Sequence, residues 1–191
     1  MEKNDYWTKI SEKNNELNSL YSTYWEQYSG FTTWQFWVTV AVFVLPLVFV
    51  YFKIDKRRLF EIFFFGFCVH MLWSYTDLAL GRNGYLNHQY FMTPILPVAA
   101  NITASFLPVG YLLIYQYCTN RNKYFYLYAF LLSVIFAIGF ASLEKWFGFT
   151  EFNKGMNQFY LLLIDIAIVL LSYWFTNLML VMKKSREQEQ F

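Results

Sequence analysis

Residues 33–58 read TWQFWVTVAVFVLPLVFVYFKIDKRR. An almost unbroken apolar run ends on Lys53, Lys56, Arg57 and Arg58. A helix rises about 1.5 Å per residue, so about 20 apolar residues cover the hydrocarbon core of a bilayer. The run is continuous and not alternating, which argues against a barrel strand. A helix satisfies its backbone groups internally, as lipid demands. The basic cluster then marks the side on which this helix leaves the membrane.

Four more segments repeat the pattern, at 59–80, 93–117, 124–147 and 156–182. With 33–52 they predict an all-α, integral membrane five-helix bundle. The composition is 57% hydrophobic and only 15% charged, and the 24% aromatic share suits interfacial belts around a small bundle. Three regions follow: an N-terminal tail over 1–32, a five-span transmembrane domain over 33–182, and a basic-then-polar tail over 183–191.

The basic residues fall in every second polar gap. Lys53, Lys56, Arg57 and Arg58 follow the first segment, Arg121 and Lys123 the third, and Lys183, Lys184 and Arg186 the fifth. The opposite short loops hold only Arg82, Lys145 and Lys154. The positive-inside rule predicts a cytoplasmic C-terminus and an N-terminus outside. In the tail, Lys3, Lys9 and Lys13 are outweighed by Glu2, Asp5, Glu12, Glu16 and Glu26. The net charge of +2 is thus a topology signal, with no clustered basic face for nucleic acid. The first apolar run lacks a basic region before it and is long enough to stay as an anchor, so no cleavable signal peptide is expected.

Within the tail, Leu17, Tyr21, Tyr24, Tyr28 and Phe31 recur at helical spacing, opposite Glu12, Lys13, Asn15, Glu16 and Glu26. An extracytoplasmic amphipathic helix follows. Two roles fit it: an arm for a membrane-protein partner or a second copy, or a helix lying at the outer interface.

Ionisable residues inside a bilayer are expensive and face the bundle interior. Counted from the outer ends of their segments, His70, Asp77, Asn101, Glu144 and Asp165 all lie in the outer half. Only Glu61 lies at the cytoplasmic end, within reach of Arg57 or Arg58. Each span carries a polar or small stripe at helical spacing: Gln35, Thr39 and Pro46; Gly66, His70, Ser74 and Asp77; Pro97, Asn101, Ser105 and Pro108; Ser133, Ala137 and Glu144; Asp165, Ser172 and Thr176. Turned inward, these stripes converge on an outward-opening acidic pocket. Pro97 and Pro108 would each remove a hydrogen bond and kink the third span. The loop from Gly81 to Met92 would lie over the pocket mouth and bring Asn87 and His88 near it.

Three functional readings follow. In the first, the chain is a non-enzymatic binding protein or complex subunit. Its pocket of His70, Asp77, Asn101, Glu144 and Asp165 takes a small cation, a lipid head group or a partner helix. In the second, His70 and Asp77 are the acid/base pair of an intramembrane enzyme acting on a lipid or isoprenoid. In the third, every polar residue is interhelical glue: Asp77 pairs with Arg82, Glu144 with a lysine, and His70 donates to a backbone carbonyl. No cofactor or metal is expected, because there is no phosphate-binding glycine loop, nucleophile elbow, His-Glu-x-x-His helix or metal-type cysteine spacing. No duplication suggests an inverted-repeat transporter.

Trp73-Ser74-Tyr75-Thr76-Asp77, Gly84-Tyr85, Phe106-Leu107-Pro108 and Tyr115-Gln116-Tyr117, with Gly139, Glu144 and Phe147-Gly148, resemble a family of small uncharacterised multispan membrane proteins from spore-forming Gram-positive bacteria. The resemblance runs from about residue 30 onward. It implies a multi-pass protein of a bacterial plasma membrane, and it brings no activity or catalytic residue with it.

Overall fold

A computed structural model describes residues 2–189, apart from the side chains of residues 184 and 186–189. The last two residues of the predicted 183–191 tail, and the Lys184 and Arg186 side chains, lie outside the described residues. Helix α1 (Lys3–Tyr24) passes through a wide turn (Trp25–Ser29) into α2 (Trp34–Lys53). A short 3₁₀ turn (Lys56–Arg58) leads into α3 (Leu59–Arg82). Strand β1 (Leu86–His88) follows, then a π-helical turn (Ile102–Phe106) opening α4 (Leu107–Asn120). Helix α5 (Phe125–Val134), a second π-helical turn (Ile135–Phe140) and α6 (Ala141–Trp146) run on without a break. Strand β2 (Thr150–Phe152) precedes the long α7 (Gln158–Glu189).

Four helical stretches are long and apolar enough to cross a membrane: Trp34–Lys53, Lys56–Arg82, Phe125–Trp146 and Gln158–Lys183. They fall on the first, second, fourth and fifth predicted segments. Local chemistry sets their ends. Thr33 caps α2 by accepting from the Phe36 amide, and Asp55 accepts from the Arg57 amide at the start of the next turn.

The third predicted segment, 93–117, is corrected. Residues 93–99 are not helical, and the helix runs over 100–120. Pro94 and Pro97 explain the late start, since each lacks an amide proton and disfavours helical geometry in the residue before it. Pro97 therefore lies before the helix and does not kink it. Pro108 is the second residue of α4, just after the π-helical turn, where a widened ladder accommodates the missing donor. This helix is also the innermost. It packs on α2, α3 and α5, and it buries Tyr111, Leu112, Tyr115 and Cys118. Two glycines allow the close approach: a Cβ on Gly66 would lie 2.9 Å from Leu112, and one on Gly110 would lie 2.6 Å from the Phe136 ring.

The predicted inward stripes sort by helix. Ser105, Ser133, Ser172, Thr176 and Thr39 are buried. Most bond along their own helix, as Ser172 and Thr176 do to the carbonyls one turn back. Ser105 instead crosses to the Phe43 carbonyl at 2.6 Å and ties the central helix to α2.

The two ends of the bundle differ. At one end the α2–α3 turn meets the end of α4. Gln116 accepts from the Asp55 amide (2.7 Å) and donates to the Lys53 carbonyl (3.0 Å). Arg58 binds Glu61, Thr119 and Asn120. At the other end β1 and β2 pair antiparallel, with Leu86 opposite Phe152, Asn87 opposite Glu151 and His88 opposite Thr150. Successive strand residues point to opposite faces, so Leu86, His88, Thr150 and Phe152 share the face toward the helices. This two-stranded lid was not anticipated in the sequence.

The tail forms the expected helix, but it ends at Tyr24. Tyr21 and Tyr24 pack on Phe91 at 6.0 and 6.1 Å, and Tyr28 packs on Tyr24 at 5.3 Å. Phe31 leaves the predicted stripe and packs on Trp25 and Phe36. Trp25 and Ser29 both donate to the Phe91 carbonyl, fixing the wide turn to the lid end.

Candidate functional site

Beneath the lid lies a cavity of about 50 Å³. Asp77 near the end of α3, Glu144 on α6, Asp165 on α7 and His88 on β1 all line it. Three of the five predicted pocket residues therefore meet at one cavity. Both π-helical turns border it, through Ile102 and Thr103 on one side and Phe136, Ala137 and Phe140 on the other. A π-helical turn widens a helix locally and is frequent at functional sites.

The carboxylates differ in how they are held. Asp77 accepts from His88 Nε2 at 2.8 Å, and His88 Nδ1 lies 3.3 Å from Thr150 Oγ1. The pairing of Asp77 with Arg82 is thus replaced by one with the lid. Asp165 is fully buried and accepts from Trp73 Nε1 at 2.8 Å. The Tyr111 hydroxyl also donates to it, and Ser133 Oγ stands 2.7 Å behind that hydroxyl. Its partners are therefore neutral donors on two other helices, α3 and α4. The Glu144 carboxylate makes no hydrogen bond or ion pair among the described residues; its field acts on His88 across the cavity. The expected lysine does not reach it: Lys145 lies over the Phe152 ring, and Lys154 over Tyr85.

Burial alone would depress the His88 imidazole, but the Asp77 carboxylate bonded to it, with Glu144 adding its field, raises it above the ordinary histidine value.

The other two predicted residues lie elsewhere. His70 donates from Nδ1 to the Thr103 carbonyl at 3.0 Å, with Ser74 Oγ 3.2 Å from the same nitrogen. It lines neither this cavity nor the groove outside it. Seven residues of α3, about 10 Å of helical rise, separate it from Asp77, so the proposed acid/base pair does not form. Asn101 is buried at the foot of the central helix and does not line the cavity.

His88 is the main addition to the predicted set. As a loop histidine it carried only a weak signal. The usable clue was local: Thr150-Glu151-Phe152 sits between Gly148 and Gly155, both at positive φ, as a short strand between turns would. Among the described residues, no group of three or more His, Cys, Asp or Glu side chains is arranged to hold a metal ion. No family model, curated protein or solved structure matches the chain.

Proposed function

We propose that this chain is a five-span membrane protein whose outward-facing end encloses a binding pocket for a small cation. The single observation that carries the reading is the meeting of Asp77, Glu144 and Asp165 around one cavity whose only basic side chain is His88. A volume of about 50 Å³ holds roughly three water-sized groups, which suits a small cation and is too small for a whole lipid head group. Glu144 supplies an unengaged acceptor. Glu144 is half-buried, and a carboxylate partly withdrawn from water favours a proton or cation beside it.

The fifth span in this reading is helix 100–120. It is more polar than the other four because protein surrounds it. The basic loops lie at the end opposite the lid, so the positive-inside rule puts the lid and α1 outside and the C-terminus in the cytoplasm. The resemblance to spore-former membrane proteins makes that membrane a bacterial plasma membrane. The pocket reading favours a binding subunit over an enzyme.

Two experiments test this. Cysteines at Lys3 and Ser185 should label from opposite sides of sealed vesicles; labelling from one side overturns the odd number of spans. For the pocket, the full chain in neutral detergent is titrated with methylammonium while its unfolding midpoint is followed. A rise that Glu144→Gln abolishes supports the pocket. If the midpoint stays flat and Glu144→Gln and Asp77→Asn fold with no change in phenotype, the carboxylates are interhelical glue.

A further inference from the structure

Outside the cavity, an open groove of about 950 Å³ runs beneath α1. One wall is the apolar side of α1, with Ile10, Leu17 and Tyr21; the other includes Leu78, Leu96 and Val98. Helix α1 buries none of its residues: Tyr21 and Tyr24 rest on Phe91 at its C-terminal end, and Ile10 and Leu17 further up the stripe stay exposed along the gap. Asp77, Leu86 and His88 line both the groove and the cavity. The two spaces are neighbours, and the 2.8 Å contact between Asp77 and His88 stands between them. The outer space is large and of mixed lining, with Asn14, Gln27, Asn87 and Gln89 beside its apolar residues. The inner one is small and acidic.

We infer that groove and cavity form one two-part site for a cationic amphiphile, a long-chain primary amine. This rests on the cation-pocket reading and names its ligand class. The chain lies under α1, where each methylene taken from water adds to affinity. The ammonium passes His88 and is held by Asp77 and Glu144. A primary ammonium carries three donors and is water-sized, matching the cavity; a quaternary ammonium has no donors and is too bulky. Asp165 is already engaged by Trp73 and Tyr111 and serves as a fixed field. Once His88 leaves Asp77, its other nitrogen stays beside Thr150 on the lid. Arg82, the one arginine lining the groove, is exposed and screened by solvent, whereas the carboxylates face the interior.

The test uses the full chain in neutral detergent, with dodecylamine, methylamine, dodecyltrimethylammonium and dodecanol as probes and the unfolding midpoint as readout. Dodecylamine should act at concentrations at least about a hundredfold below methylamine, the effect of burying only a few methylenes. Dodecyltrimethylammonium and dodecanol should give no shift. Glu144→Gln should weaken both amines. Leu17→Glu combined with Leu20→Glu, on the exposed arm, should reduce dodecylamine to the level of methylamine and leave methylamine unchanged. Equal action of the two amines overturns the groove and leaves the cation pocket standing. Equal action of dodecylamine and its quaternary or alcohol analogue overturns the ammonium seat. Failure of both amines overturns this inference and the pocket reading together.

Discussion

The two ends of the bundle use the same residue types to opposite effect. At the basic end, Glu61 sits on Arg58 and also accepts from Tyr115 at 2.5 Å, while Arg58 reaches across to Thr119 and Asn120. The charges there are matched, and the result is a clasp between the α2–α3 turn and the end of α4. At the lid end, three carboxylates face one histidine around a space. The contrast teaches that a polar cluster in a membrane helix bundle is not defined by its residues. It is defined by whether their partners fill the space between them.

The largest test strikes the lid end. Trp73 is buried and supplies a donor to Asp165. Trp73→Ala should cost about 3–5 kcal/mol, from lost packing and an under-bonded carboxylate. Trp73→Phe keeps most of the bulk and should cost about 1–3 kcal/mol, isolating the hydrogen bond. Thermal unfolding in detergent followed by near-ultraviolet dichroism measures both. If Trp73→Phe costs nothing, Asp165 does not depend on its neutral donors and the contrast between the ends weakens.

How far each end was legible in the sequence follows from the range of its contacts. The basic clasp joins Arg58 to Glu61 one turn away, a local spacing that can be read directly, and four of the five apolar segments were plain from length alone. The start of the third was misjudged because Pro94-Ile95-Leu96-Pro97 is apolar yet cannot be helical. The lid was hidden for a different reason. Three-residue strands carry no usable period, and the pairing of His88 with Thr150 spans 62 residues. Depth along the helices grouped Asp77, Glu144 and Asp165, and these three line one cavity. It failed for His70 because, on the same face as Asp77, it lies seven residues and about 10 Å further along α3, where its imidazole bonds the Thr103 carbonyl instead of reaching the cavity.

The second test is pH. Asp77 from α3, Glu144 from α6 and Thr150 from β2 face His88. Its folded value is raised, so its charged form is stabilised by folding. That contribution is fully present below the unfolded value of about 6.5 and is lost as pH rises through the folded value. Amide exchange in Leu86–His88 and Thr150–Phe152 should therefore quicken above about pH 6.5, beyond the intrinsic rise seen in a His88→Asn control. Its effect should be smaller than that of Trp73→Ala, since one contact loosens and no side chain is removed. A lid as steady as the control would mean that the pair holds without its charge, and the two ends would be alike.

The smaller effects belong to the basic end and to the arm. Arg58→Ala removes bonds to three partners, at a pair whose side chains are 28% and 18% exposed, and should cost about 1–2 kcal/mol. Solvent at the membrane surface can replace much of what is lost. Lys13→Ala breaks an ion pair on α1 whose side chains are 79% and 59% exposed, and should change the unfolding midpoint by no more than the measurement error. That near-zero value is the useful one. Lys13 and Glu16 lie one turn apart on the exposed part of α1, before the Tyr21 and Tyr24 contacts with Phe91, so their pairing supports no tertiary contact. A measurable loss would show that α1 is packed against something in the membrane, and the groove beneath it would then not be open.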